Sequence, residues 1–333
     1  MNVLLPTPLL GGISPRTFMR RYWQRTPLLI RQAIPGLRAP LDRAALFALA
    51  GQAHVQSRLV LGSGEAHGKG WKLRHGPFAR RALPPRSQPN WTLLVQGVDH
   101  LAEPVHDLLN RFRFVPDARL DDVMVSYATP GGGVGPHVDS YDVFLLQAHG
   151  RRRWRIGRQK DLSLEPDLPL KILRSFEPEQ TWELEPGDML YLPPQFAHDG
   201  VALDECMTVS IGFRAPAVGE LAGELLQRLA QDAPEELGAA LYRDPGQHAV
   251  EHPAAIPERL AQFAQQALAR ALRDPQVLAR NLGEHLTEPK PWVWFDEADG
   301  ATPAGAVQLD RRSRMMYDDK HVFLNGESYR ASG

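Results

Sequence analysis

His137 and Asp139 stand two residues apart, directly after the glycine-rich run Pro130-Gly131-Gly132-Gly133. On an extended strand, residues i and i+2 point to the same side. An imidazole and a carboxylate at that spacing can therefore reach one point in space, as a metal ion requires. A second histidine, His198, lies 59 residues beyond Asp139 and closes a compact stretch running from Glu185. In that stretch Pro186-Gly187-Asp188 makes a tight turn, Met189 to Leu192 reads as a buried strand, and Pro193-Pro194 ends it ahead of His198. Two histidines and one carboxylate on one face of a metal form the facial triad of non-haem Fe(II) oxygenases, with positions left open for substrate and O2. Zinc could use the same residue types. The oxidative reading needs a cation to hold the far carboxylate of 2-oxoglutarate, and Arg152 stands fifteen residues after His137. A guanidinium can grip a carboxylate through two parallel hydrogen bonds.

Each of these residues has a plainer reading. A lone His-X-Asp arises often by chance, and only the turn, strand, Pro-Pro and His around His198 raise its weight. Arg151, Arg152 and Arg153 could be a solvated basic run; strand alternation instead turns Arg152 inward and its neighbours outward. Gly131 to Gly133 is not a phosphate loop, since no Lys-Ser/Thr follows and no helix starts there. The single cysteine, Cys206, reads as a small buried apolar residue and rules out a disulfide framework or a cysteine zinc cluster within one chain. The other ten histidines have no partner spacing; His149 is near the site in sequence but falls in a turn.

These residues need a scaffold, and the 333-residue chain is long enough for two or three domains. Its composition is that of a soluble globular protein, 43% hydrophobic and 23% charged, with a formal net charge of −1. That balance gives no global sign of nucleic-acid affinity, so no direct nucleic-acid binding is expected. No apolar run reaches 18 residues. The start, MNVLLPTPLL, lacks a signal-peptide pattern and reads as a mature N-terminus; a reducing, cytoplasmic setting without a membrane is expected. Helices are predicted over Pro15–Gln24, over 38–53 with Asp42 as N-cap, and over 100–114. Short extended runs fill 56–98. The centre is β-rich: strands over Asp122–Ala128, His137–Gln147, Arg152–Ile156, Thr181–Leu184, Met189–Leu192 and Met207–Arg214. Beyond Ala215-Pro216 the pattern turns helical, with Leu221, Leu225, Leu226 and Leu229 on one face. Leu260, Phe263, Ala264, Ala267, Leu268 and Ala271 form another, and Pro257 sits at a first helical position. Those faces need a partner, which predicts a homodimer. The tail carries a strand at Trp292–Phe295 and a hairpin around Asn325-Gly326.

The stretches PHVDSYDVFLLQAHGRRRWRIG and PGDMLYLPPQFAHDGVA resemble the JmjC-type, cupin-fold 2-oxoglutarate oxygenases. They are most similar to the bacterial ribosomal oxygenases, which hydroxylate an arginine of a large-subunit ribosomal protein, the sixteenth of the L series. The resemblance implies a mainly β catalytic domain, a double-stranded β-helix, over residues 1–215. It also implies an α-helical dimerisation domain over 216–288 and a small α+β winged-helix-like domain over 289–333, short for the family. It makes His137, Asp139 and His198 the Fe(II) ligands, Arg152 the 2-oxoglutarate anchor, and Ser126 a pocket position contacting cosubstrate or substrate, with Tyr127 a weaker candidate. The expected reaction consumes O2 and 2-oxoglutarate to hydroxylate an arginine side chain of a ribosomal protein, and Asp142 is a candidate partner for that guanidinium. Two other classes stay open: a JmjC hydroxylase with another protein or a tRNA base as substrate, and a non-oxidative cupin. Arg152 separates the last from the oxygenases, because an isomerase needs no 2-oxoglutarate anchor.

Overall fold

The computed structural model describes residues 2–62, 70–295 and 308–331. The chain divides into two units, Met1–Ala215 and Pro216–Gly333. The first begins with α1 (Pro15–Arg21), β1 (Leu28–Ile30), α2 (Arg43–Ala50), β2 (Ser57–Leu61), β3 (Lys72–His75) and β4 (Trp91–Val95). Two short helices follow, α3 (Val98–Leu101) and α4 (Glu103–Asn110). The remainder is β5 (Leu120–Ala128), β6 (Asp142–His149), β7 (Arg152–Gly157), β8 (Gln180–Leu184), β9 (Met189–Leu192), β10 (Ala197–Ala202) and β11 (Cys206–Phe213).

Eight strands form one antiparallel sheet in the order β1-β9-β6-β11-β5-β4-β2-β3, and β10-β7-β8 form a smaller one. Alternation along each strand sorts side chains into two cores. Tyr127, Phe144, Leu146, Tyr191 and Ile211 face one way and pack with Phe18, Phe47, Val105 and Leu109 of the helices. Val143, Leu145, Leu190 and Leu192 face the other way, into the space between the sheets, where Trp154, Ile156 and Leu184 of the smaller sheet meet them. Phe18 is fully buried, with Tyr191 and Phe144 rings 4.9 and 5.4 Å away. Truncating such an aromatic to alanine costs about 3–5 kcal/mol.

Asp42 caps α2 as its type predicts, its carboxylate accepting from Ala45 N–H at 2.7 Å. Ser14 does the same for α1. Several expectations change. The 38–53 helix contracts to α2, and the 100–114 helix is two helices broken at Ala102. The strand expected from His137 starts only at Asp142; within 137–141 His137 makes an isolated bridge to His198, and the chain bends at 140–141 before β6.

The second unit holds α5 (Val218–Leu237), α6 (Glu258–Ala271), α7 (Pro275–Thr287) and an antiparallel sheet of β12 (Met315–Tyr317), β13 (His321–Leu324) and β14 (Glu327–Arg330). Asn325 and Gly326 join β13 to β14 with φ of 52° and 90°, the two positive angles of a type I′ hairpin. Gly283 of α7 lies against the Phe323 ring, where a Cβ would approach within 2.4 Å. Residues 292–295 form no strand: a turn at 291–292 brings Val293 N–H to Lys290 C=O at 2.8 Å, and 293–295 follow without regular structure. Pro257 takes the N-cap position, one residue before α6. Among the described residues, no helix is long and apolar enough to cross a membrane.

Candidate active site

His198 lies on β10, in the smaller sheet, and His137 lies on the segment that crosses toward β6. A reciprocal backbone pair locks them together: His137 N–H donates to His198 C=O at 3.0 Å, and His198 N–H to His137 C=O at 2.9 Å. Asp139 is held by its own carbonyl, which accepts from Gln195 N–H at 2.8 Å. One ligand atom from each of His137, Asp139 and His198 falls within 4.8 Å of the others. The two Asp139 oxygens lie 3.9 Å from His137 Nε2 and 3.6 Å from His198 Nε2.

The second nitrogen of each ring is already committed. His137 Nδ1 is 2.9 Å from Gly135 C=O and His198 Nδ1 is 3.0 Å from Phe196 C=O. A carbonyl can only accept, so Nδ1 carries the proton and Nε2 presents its lone pair toward Asp139, the arrangement usual for metal-binding imidazoles. Burial, reinforced by neighbouring His137, lowers the His198 pKa to about 4. It is neutral, in its ligating form, at physiological pH.

Arg152 points between the sheets, on the same side of β7 as Trp154 and Ile156. Its residue exposure is 5%, and its Nε and Nη2 are buried without a hydrogen-bond partner. A buried guanidinium with two unpartnered nitrogens is costly, and a carboxylate there would supply what they lack. The arginines flanking it turn outward, Arg151 to an ion pair with Asp204 at 2.9 Å. Trp154 stacks near both key residues: its ring lies 5.6 Å from the Arg152 guanidinium carbon and 5.8 Å from the His198 ring. Gly200 makes room for it, since a Cβ there would come within 2.6 Å of the indole. Neither Trp154 nor Gly200 emerges from reading the sequence alone, although Gly200 shares the strand alternation of His198.

Ser126 is buried on the inner face of β5, its hydroxyl donating to Thr208 C=O at 3.4 Å. Tyr127, one residue on, faces the opposite core and meets Phe47 edge to face at 5.0 Å; it has no part in this pocket. Asp142 is likewise turned away. Its carboxylate accepts from Tyr191 Oη at 2.6 Å, Gln24 Nε2 at 3.1 Å and Arg119 Nη2 at 3.3 Å, so it cannot meet a substrate guanidinium. Asp122 has the opposite parity to Tyr127. It is buried, on the same side of β5 as Met124 and Ser126. A Cβ built on Gly212 would lie 3.8 Å from Asp122 Oδ1 and 4.0 Å from Tyr141 Cε2, so these two side chains flank one point. Burial and the carboxylates of Asp139 and Asp122 push the Tyr141 hydroxyl pKa up, keeping it a proton donor.

Two facing antiparallel sheets with a His-X-Asp…His triad at their junction define a JmjC-type oxygenase. The comparisons agree. A family model described as the JmjC domain matches residues 107–221. The ribosomal protein uL16 3-hydroxylase of Escherichia coli is 36% identical over 322 residues, covering 93% of this chain and 84% of that protein. A probable ribosomal oxygenase of Haemophilus influenzae is 32% identical, covering 92% and 72%. The X-ray structure of E. coli YcfD superposes with a TM-score of 0.77 at 34% identity, over 96% of this chain and 86% of that one. A structure of the same ribosomal oxygenase in complex with cobalt and 2-oxoglutarate superposes at 0.74, over 95% and 85%. The chain belongs to the ribosomal oxygenases of the JmjC family and is a 2-oxoglutarate-dependent dioxygenase.

Proposed function

We propose that this protein hydroxylates an arginine side chain of a large-subunit ribosomal protein, the counterpart of uL16, using Fe(II), 2-oxoglutarate and O2. The observation that carries the reading is the combination of the triad with the unpaired, buried guanidinium of Arg152. His137, Asp139 and His198 would hold the metal through Nε2, a carboxylate oxygen and Nε2. Arg152 would take the far carboxylate of the cosubstrate, and Ser126 lines the same interior. Bound there, ferrous iron with 2-oxoglutarate supplies the oxidation, in which O2 hydroxylates a C–H bond and the cosubstrate leaves as succinate and CO2. The chain's own residues do the positioning. The Nδ1–H donors of His137 and His198 fix their rings, Trp154 and the apolar interior exclude water, and Asp122 with Tyr141 receives the substrate guanidinium at the mouth. Such work takes place in the cytoplasm, where ribosomal proteins are made.

The helices of the second unit leave Leu226, Leu260, Phe263 and Leu268 exposed. A second copy of the chain covers them in this reading, giving a homodimer through the helical domain, with the small C-terminal sheet and α7 as a winged-helix-like appendage. Sedimentation as a monomer at micromolar concentration would overturn the dimer.

The test of function is succinate release with and without a peptide from the candidate ribosomal protein, the peptide then being weighed. Peptide-stimulated turnover with one oxygen atom added on arginine supports the reading. Turnover without peptide gain keeps the oxygenase and removes this substrate. Metal binding with no turnover at all points to the non-oxidative cupin.

A further inference from the structure

The net charge of −1 conceals a strong segregation. Residues 1–98 contain fourteen Lys and Arg against two acids, Asp42 and Glu65, while the other 37 acids lie beyond. The segregation survives folding as a difference in partners. In the rest of the first unit half of the ten arginines are tied to carboxylates: Arg113 to Asp117, Arg119 to Asp142, Arg151 to Asp204, Arg155 to Asp199 and Arg214 to Asp121. Those of the N-terminal third mostly are not. On α1, Arg16, Arg20 and Arg21 are exposed, and no carboxylate among the described residues pairs with them. At the opposite edge of the large sheet, Lys72 and Arg74 project from one face of edge strand β3. Arg80 and Arg81 stand exposed on the turn that follows. Arg74 joins the two, its Nη1 donating to Ala82 C=O at 3.4 Å and its guanidinium lying over the Phe78 ring. These four are also without an acidic partner among the described residues.

Crowding like charges on a fold that has acids to spare works against its stability, so the pattern calls for a partner outside the chain. The basic edge reaches the active-site mouth. Arg58, paired with His75 across β2 and β3, places Nη2 3.3 Å from Gln96 Oε1 and 3.9 Å from the sulfur of Met124, on the strand that carries Asp122. The mouth is acidic, with Asp121, Asp122 and Asp139 around Tyr141. A surface that draws a cation at its centre and polyanion at its flanks fits a cationic side chain displayed on a nucleic-acid assembly. We infer that the arginine-rich surface of α1 and of the β3 edge binds the phosphate backbone of folded RNA beside the substrate protein. Guanidinium forks match phosphate geometry, and six of the seven residues on these two clusters are arginine. The inference rests on the ribosomal reading above for the choice of RNA.

The experiment uses the full chain and a labelled RNA hairpin with a duplex stem of about 20 base pairs, followed by fluorescence anisotropy across a salt titration. Two triple variants are compared with the parent: Arg16→Ser/Arg20→Ser/Arg21→Ser and Lys72→Ser/Arg80→Ser/Arg81→Ser. The parent should bind at low salt, with log affinity falling linearly in log salt. Each triple variant should lose roughly 2 from that slope, at ~0.7–0.9 per phosphate contact. Turnover with the substrate peptide should stay unchanged in both, which also shows that they fold. No binding at low salt, or variants with the parent's slope, overturns the inference. So does polyglutamate competing as well as RNA at equal charge, which would make the partner an acidic protein. Peptide turnover is read separately, so loss of the substrate assignment and loss of the RNA surface are distinguishable.

Discussion

Replacing Arg152 by methionine separates a cosubstrate anchor from a structural residue, because the two roles predict opposite signs. Arg152 is 5% exposed, with Nε and Nη2 unpaired. In the cosubstrate-free protein, the cation therefore carries a desolvation cost of about 1–3 kcal/mol for its unmade hydrogen bonds. The nearby Trp154 ring offsets part of it, at about 0.5–2 kcal/mol for a cation over an aromatic face. Methionine keeps most of the volume and removes the charge, so the variant without cosubstrate should be as stable as the parent or more so. For a unit of this size each kcal/mol raises Tm by roughly 2–4 °C.

With 2-oxoglutarate the sign reverses. Two charge-assisted hydrogen bonds to the far carboxylate are worth about 1.5–3 kcal/mol each. Their loss should weaken cosubstrate binding on the order of 100- to 10,000-fold, at ~1.4 kcal/mol per decade. The assay is thermal unfolding with cobalt(II) as a redox-silent metal, with and without 2-oxoglutarate, alongside succinate release with iron. The parent should gain Tm from cosubstrate, whereas Arg152→Met should gain none at the same concentration. Arg152→Lys should fall between, since an ammonium gives a point charge without the planar fork. A variant less stable than the parent without cosubstrate, yet keeping its affinity within about threefold, would refute the reasoning and make Arg152 a packing residue.

Four further outcomes are expected. His137→Ala should leave the chain folded but weaken cobalt(II) binding by calorimetry at least ~100-fold, because two ligands cannot complete the face; unchanged affinity would displace the triad. Gly200→Ala drives a Cβ into the indole of Trp154, which should cost about 1–3 kcal/mol by denaturant titration and shift tryptophan fluorescence; a neutral result would mean the indole has room to move. Asp122→Asn should raise the KM for an arginine peptide on the order of tenfold or more, as loss of one charge-assisted bond implies, with cosubstrate affinity unaffected. Asp99 is fully desolvated, which raises its pKa, but the pair with His100 and the bond from Val123 N–H outweigh burial and hold it below 3.8. A depressed carboxylate stabilises the fold above its unfolded pKa and loses that contribution as pH falls through the folded value. The stability gap between parent and Asp99→Asn should therefore be wide at pH 7 and shrink below pH ~4; a gap that widens on acidification reverses the sign.

Strand parity explains both what was legible in the sequence and what was missed. Alternation along RRRW correctly turned Arg152 inward. The same rule, counted from Asp139, puts Tyr141 and Val143 on the metal side and Asp142 on the other, where Tyr191 and Arg119 hold it. Choosing Asp142 for the guanidinium ignored that count. Asp122 shares the parity of Ser126, which makes it the candidate that the same count favours. Tyr127 fails by parity as well. What no local pattern carries is closure: His137 and His198 are 61 positions apart, and they meet because the smaller sheet folds over the larger one. Trp154 and Gly200 belong to that closure, since the absent side chain of one matters only once the ring of the other lies across it.

The same closure bears on how the site works before any metal arrives. His137 and His198 exchange two backbone hydrogen bonds with each other, and each Nδ1 already has its acceptor. These bonds do not involve the ligating atoms, so the rings are oriented by the fold itself rather than by an ion. Asp139 is tethered through its backbone to Gln195, whose φ of 61° bends the chain just after Pro193-Pro194. Its side-chain carboxylate lies beside the Tyr141 hydroxyl and between the two Nε2 atoms. A preformed site of this kind loses little ordering entropy on binding. Arg152 brings a further charge into that interior, its Nε and Nη2 buried without a hydrogen-bond partner. A metal held by the triad and the Arg152 guanidinium would both be cations in a water-poor space, and a molecule with carboxylates at both ends would offset both charges.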